Sequence, residues 1–298
     1  MARSNSEKCN SGESGAVCFE RKVVAGWAMK ILTNLAGSLL LFFALFPAWA
    51  GVVEAYERGG TLVLITETSL VATGGNVSAG SDASADCTVA AEIPVFNQWR
   101  KVSSIQSEPT SDVRMLSRKS GQVLEIVSLD VFGYCGLRSD FLGAYRKVKV
   151  DRSAISSVRA ILVAAHEAAL DASKLRGAAD AASLMRPFAG LADFSLAFDQ
   201  KELASACSFT NDYGYFLQQS HQESASIPPL LSVVHACPGR TVAYLNLGDS
   251  YWAVGDAASA SLFYQRYIDL LRETGRIKTA PRRVFVRTRM QSEAPAGR

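Results

Sequence analysis

The spacing of hydrophobic residues changes twice along this chain. Residues 39–46 form an unbroken apolar run, Leu-Leu-Leu-Phe-Phe-Ala-Leu-Phe, followed by Pro47, Ala48, Trp49 and Ala50. From about residue 55 to residue 150 the apolar positions come in short bursts separated by Gly-rich or polar stretches. Residues 56–66 read as a turn followed by a strand-like run, 121–133 partly alternates and is rich in β-branched residues, which predicts a strand, and 89–99 and 145–150 are further strand candidates. Residues 74–86 read as a loop, and 102–112 are polar and include Pro109. After Asp151 the period becomes helical. Val158, Ile161, Leu162, Ala165 and Ala169 share one face of a helix over 153–176, and Gly177 ends it. A short helix at 178–185 stops at Pro187. Phe188, Leu191, Phe194, Leu196 and Phe198 form an apolar cluster suited to sealing one end of a helical stack. The pattern therefore predicts an α+β chain. A small β-rich domain occupies 51–150, with a partly closed barrel as one arrangement, and a helical capping region occupies 151–206.

The C-terminal third repeats itself weakly at an offset of 34 residues. Gly214 and Gly248 fall in register, as do Tyr213 with Leu247 and Leu217 with Tyr251. A period of that length implies stacked helical hairpins, because one hairpin cannot bury its apolar faces alone. Over 241–274 the residues Tyr244, Leu247, Gly248, Tyr251, Gly255, Ala260, Tyr264 and Tyr267 form a pattern that resembles the tetratricopeptide repeat. Small residues Gly248 and Ala260 stand where two helices cross, and the larger ones fill the seam. The expected helices are 241–253 and 257–273, with Gly255-Asp256 as the turn and Gly275 as the stop. Residues 207–240 match less well, because Pro228-Pro229 places the start of the second helix near them, with Ser226 as its cap. The two units span 207–274, and 275–298 forms a basic cap and tail. The resemblance implies protein or peptide binding in a concave groove. Asn211, Tyr215, Asn246, Ser250 and Trp252 are the candidate partner-binding residues.

The apolar run follows Lys30 and ends in Ala48-Trp49-Ala50, the three-part order of a secretory signal cut after Ala50. An uncleaved anchor and a buried helix are the alternatives, although Asn34 and Pro47 leave fewer than the about 20 apolar residues a lasting span needs. A start at Met29 would give a signal peptide of ordinary proportions, so residues 1–28 are a long leading region or a mistaken start. Removing residues 1–50 lowers the formal charge from +3 to about +1, which is no field for nucleic acid. The reading is a periplasmic or secreted protein with no stable membrane span after cleavage. Cys87, Cys135, Cys207 and Cys237 remain, and an exported chain with four Cys can hold two disulfides. Domain layout favours Cys87–Cys135 and Cys207–Cys237.

The sequence carries little that points to catalytic chemistry. His166-Glu167 lacks the second His of a zinc protease helix, no Gly-rich run has phosphate-loop spacing, and no Ser sits in a nucleophile elbow. No cofactor or metal is expected. Asn76-Val77-Ser78 is a glycosylation sequon only in a cell that glycosylates. The function expected is a non-enzymatic exported interaction module, an adaptor or accessory subunit of an envelope or secretion-related assembly. The competing reading is an enzyme or cell-wall processing protein with its site in the β-rich domain.

Overall fold

A computed structural model describes residues 53–74, 87–92, 96–105, 114–129, 141–198 and 203–293. The signal segment 1–50, the loop at 75–86 with its sequon, the turn at 133–136 with Cys135, and residues 294–298 of the tail lie outside the described residues.

Among the described residues eight strands form one closed antiparallel barrel in chain order. They are β1 (Glu54–Arg58), β2 (Thr61–Ile65), β3 (Ser69–Gly74), β4 (Cys87–Glu92), β5 (Trp99–Ser104), β6 (Arg114–Ser120), β7 (Val123–Leu129) and β8 (Gly143–Val148), with β8 pairing back onto β1. Eight strands enclose a bore that side chains can fill. Tyr56, Val63, Ala72 and Val89 occupy successive register partners on the inner face, and Leu124, Ile126 and Tyr145 join them. The intervening positions Ala55, Leu64, Val71 and Ala90 form a second register row on the outer face, where helices cover them. Both faces of β2, β3 and β4 are therefore buried, which is why these strands read as nearly continuous apolar runs instead of strict alternation.

The expected strand regions divide more finely than their sequence suggests. Arg58 faces Thr61 across Gly59-Gly60, whose φ values of 52° and 83° require glycine, so the segment read as turn plus strand is a tight hairpin. The expected strand at 89–99 belongs to two strands, β4 and β5. Strand β6 was not anticipated, because Arg-Met-Leu-Ser-Arg-Lys-Ser offers one large core residue, Met115.

The helical part begins at α1 (Arg152–Leu175), where the Ala154 N–H donates to the Asp151 carboxylate at 3.1 Å. Gly177, at φ 98°, separates α1 from α2 (Ala178–Met185). A 3₁₀ turn at Arg186–Phe188 leads into α3 (Ala189–Phe198), so the cluster read only as apolar is helical. Two hairpins follow: α4 (Leu203–Gln219) with α5 (Glu223–Ala236), and α6 (Thr241–Ala253) with α7 (Ala257–Glu273). A further 3₁₀ turn precedes α8 (Arg282–Glu293). Helices α6 and α7 have the expected boundaries. Helix α5 does not: it starts at Glu223, with Pro228 and Pro229 inside it. Ser226 is no cap. It is buried, donating to the Glu223 carbonyl at 2.7 Å and meeting Ser250 at 2.7 Å, and this packing holds the first turn ahead of the prolines.

The hairpins share one internal geometry at the 34-residue offset. A Cβ on Gly214 would lie 2.6 Å from Leu230, and one on Gly248 would lie 2.4 Å from the Tyr264 ring. Ser226 and Ala260, also 34 apart, are both fully buried.

Candidate functional site

A cleft of about 130 Å³ opens between α3 and the α4–α5 hairpin. Helix α3 contributes Ala189, Ala192 and Asp193, and α4 contributes Phe209, Thr210 and Tyr213. Pro228, Pro229 and Ser232 of α5 complete the wall. The apolar groups arise from ordinary core spacing, since Phe209 belongs to the same buried cluster as Phe188 and Leu191. The two prolines add a wall without N–H donors. For the same reason the carbonyls of Ser224 and Ala225, one turn earlier, receive no helical hydrogen bond from residues 228 and 229.

Four polar residues belong to this otherwise apolar lining, and their states differ. Asp193 is exposed at the surface, and the helices packed around it push its acid up to about 6. Thr210 is 2% exposed, and its Oγ1 has no hydrogen-bond partner. A buried hydroxyl of this kind is costly to leave without a hydrogen bond. Tyr213 is raised by burial and opposed by the guanidinium of Arg186, which also approaches Glu92 of β4 at 3.9 Å. Ser232 donates to the Pro228 carbonyl at 3.3 Å and keeps its lone pairs.

The sequence reading places Asn211, Asn246 and Ser250 on a partner-facing groove, but the structure buries all three between helices, at 2%, 5% and 0% exposure. They belong to a polar ladder. His166 of α1 meets Asp212 at 2.7 Å, Asn211 donates to Asp212 at 2.8 Å, and Asn246 donates to Asn211 at 3.4 Å. Ser250 then donates to the Asn246 carbonyl at 2.9 Å and meets Ser226. Burial alone would push the Asp212 acid up, but hydrogen bonds from His166 and Asn211, with the charge of Arg240, hold it below its ordinary value. These residues link the stacked helices from within, Asn211, Asn246 and Ser250 being buried.

Tyr215 is 40% exposed on α4. Trp252 is half-buried under the Arg287 guanidinium, 5.0 Å from its ring centre. Arg287 belongs to a cluster in which Asp249 accepts from Arg283 at 2.7 Å, from Arg287 at 2.7 Å and from the Tyr264 hydroxyl at 2.6 Å. Burial pushes the Tyr264 phenol up, and Asp249 adds to it. This cluster clamps α8, whose Val284 is fully buried among Tyr264, Tyr267 and Leu271. Two of the C-terminal arginines, Arg283 and Arg287, are thus paired with Asp249.

Cys207 and Cys237 are joined by a disulfide that ties the start of α4 to the end of α5. Cys87 is also disulfide-bonded, while Cys135 lies outside the described residues. No group of His, Cys, Asp and Glu among the described residues could hold a metal ion, and no described helix is long and apolar enough to cross a membrane.

Asp193 and Thr210 carry no motif in the sequence, and Tyr213 reads there only as a repeat position. One signal is present: Asp193 is the lone charged residue in the mostly apolar stretch from Pro187 to Phe198. Pro228-Pro229 was noticed, but as a helix start and not as a wall. Comparison with known protein families finds no family model that matches the chain, and comparison with curated proteins finds no match.

Proposed function

We propose that this is an exported interaction module of tetratricopeptide type, which serves as an adaptor or accessory subunit of an envelope or secretion-related assembly. The observation that carries this reading is the repeated close approach at 34 residues, Gly214 against Leu230 and Gly248 against Tyr264. Two hairpins built to one plan form a stack, and stacks of this kind offer partner-binding surfaces. The disulfide and the signal-like apolar segment favour an oxidising compartment outside the cytoplasm. The barrel supports the stack with a filled interior, in which Tyr56, Leu124 and Tyr145 are fully buried.

Tyr215 is the aromatic anchor of the proposed surface, since it is exposed on a helix of the first hairpin. Trp252 stabilises the α8 clamp instead. In vivo crosslinking followed by purification from the exported fraction tests this assignment. Tyr215→Ala should reduce recovery of a defined crosslinked species while keeping the melting temperature. Trp252→Ala should lower the melting temperature. Equal recovery by wild type and a folded Tyr215→Ala protein would remove this surface.

A further inference from the structure

We propose that the outward wall of the barrel at β5 and β6 docks on an anionic lipid surface. This face is separate from the one assigned to Tyr215 and serves a different partner. It takes only the exported compartment from the reading above.

The helices cover one side of the barrel. Outward residues of β1 to β4, Ala55, Leu64, Val71 and Ala90, are buried in the same cluster as helical side chains. On β5 and β6 the outward residues Trp99, Lys101, Arg114 and Arg118 are exposed instead. Register fixes which way they point. Met115 belongs to the barrel core, so its partner Arg100 shares the inner side, and the residues flanking each of them face outward. The same register brings the outward side chains together. Trp99 lies opposite Leu116, and Lys101 lies opposite Arg114. An aromatic–aliphatic pair and a pair of cations therefore sit side by side on two adjacent strands. Arg118 follows on β6, opposite Glu125 of β7.

The chemistry of this face selects the occupant. Trp99 is 53% exposed, the most of any Phe, Tyr or Trp side chain among the described residues. An indole held out beside an aliphatic side chain and cations matches the lipid–water boundary, where the ring sits at headgroup level and the cations meet phosphate. Among the described residues of β5 to β8 the outward cations are Lys101, Arg114, Arg118 and Arg146, against one outward carboxylate, Glu125. Their sign favours an anion. It also opposes a second copy docked through the same face, because a two-fold axis would set these cations against themselves. The face is a sheet wall and not a cleft, so it suits an extended plane of headgroups better than one small anion. An exported protein of a cell envelope meets such a plane at the membrane it crossed.

Sedimentation of the purified exported protein, with its disulfides intact, on vesicles of mixed phosphatidylglycerol and phosphatidylcholine tests the proposal. In dilute salt the protein should bind these vesicles about tenfold or more tightly than vesicles of phosphatidylcholine alone, and concentrated salt should remove the difference. Arg114→Gln combined with Arg118→Gln should weaken binding to the anionic vesicles by about tenfold or more. Both side chains are exposed, so the melting temperature should hold. Brominated lipid in the anionic vesicles should quench the tryptophan emission of the wild type, and Trp99→Phe should abolish that quenching. Arg276→Gln combined with Arg282→Gln, placed in the basic C-terminal segment, should bind as the wild type does. Equal binding to neutral and anionic vesicles overturns the assignment, as does binding to neither. Quenching that persists in Trp99→Phe overturns it too. So does a loss of binding in the C-terminal variant while the barrel variant binds normally. Crosslinked recovery through Tyr215 is read without vesicles and judges the interaction-module reading by itself.

Discussion

At the scale of single residues, two glycines decide how closely paired helices approach, and their neighbours differ. A methyl on Gly248 would lie 2.4 Å from the Tyr264 ring, whose hydroxyl is held by Asp249 and Arg287. The ring cannot swing aside without breaking that cluster. A methyl on Gly214 meets Leu230, a side chain with no polar anchor that can change rotamer. Gly248→Ala should therefore cost the larger share of the about 1–3 kcal/mol typical of overpacking, and Gly214→Ala the smaller. Thermal melts of the two variants check the order, and a greater loss for Gly214→Ala would show that the anchored ring is not the cause. In the barrel, Glu54 accepts from Lys119 and from Lys147, the latter at 2.6 Å. Burial pushes its acid up, but the two lysines outweigh that and hold it at about 2, against an ordinary 4.5. A depressed acid contributes stability that is complete above the higher value and is lost as pH falls through the lower one. Screening at this partly exposed site limits the contribution to on the order of 1 kcal/mol. Glu54→Gln should accordingly be less stable than wild type at neutral pH and converge with it toward pH 2, as followed by urea midpoints. A constant gap across that window would mean that the ion pairs contribute nothing.

At the scale of elements, the disulfide and the α8 clamp hold the two ends of the hairpin stack. The link from Cys207 to Cys237 spans 30 residues, for which the chain-entropy account gives about 3–4 kcal/mol. Replacing both Cys with Ser should lower stability by that order, with the first hairpin exchanging its amide hydrogens soonest. Uniform exchange across α4 to α7 would argue that the link does not stabilise this hairpin in particular. The helical elements were legible where one period governed them. Helices α6 and α7 follow from small residues at the crossing and aromatic residues along the seam. Helix α5 was not, because the proline rule weighs local cost alone, whereas Ser226 is fixed from outside the helix by Ser250. Asn211, Asn246 and Ser250 misled for a related reason. Polar side chains in helices read as surface, yet these satisfy one another inside, which spacing along one chain segment does not reveal. The cleft was largely illegible, since it joins residues 189–193 to 209–213 and 228–232, and no single segment carries its pattern.

At the scale of the whole molecule, the barrel and the helices share a core, and this bears on how the chain unfolds. Ala55, Leu64, Val71 and Ala90 point out of the barrel and are buried in the same cluster as Phe188, Leu191, Val158 and Ile161. Gly190 marks how closely the layers meet: a Cβ there would lie 2.2 Å from Thr66 Oγ1 in the turn between β2 and β3. A barrel stripped of its helices would expose an apolar stripe along four adjacent strands, and the helices without the barrel would expose its counterpart. Transfer of apolar surface to water costs roughly 25 cal/mol per Å², so separating the layers is opposed by every residue of the shared cluster. The two layers should therefore unfold as one cooperative unit. Calorimetry of the exported protein should show a single transition whose van't Hoff and calorimetric enthalpies agree. Gly190→Val, which forces the layers apart at Thr66, should lower that transition for barrel and helical signals alike. Two separated transitions in the wild type, or a loss confined to the helical signal in the variant, would show that the shared cluster does not couple the layers.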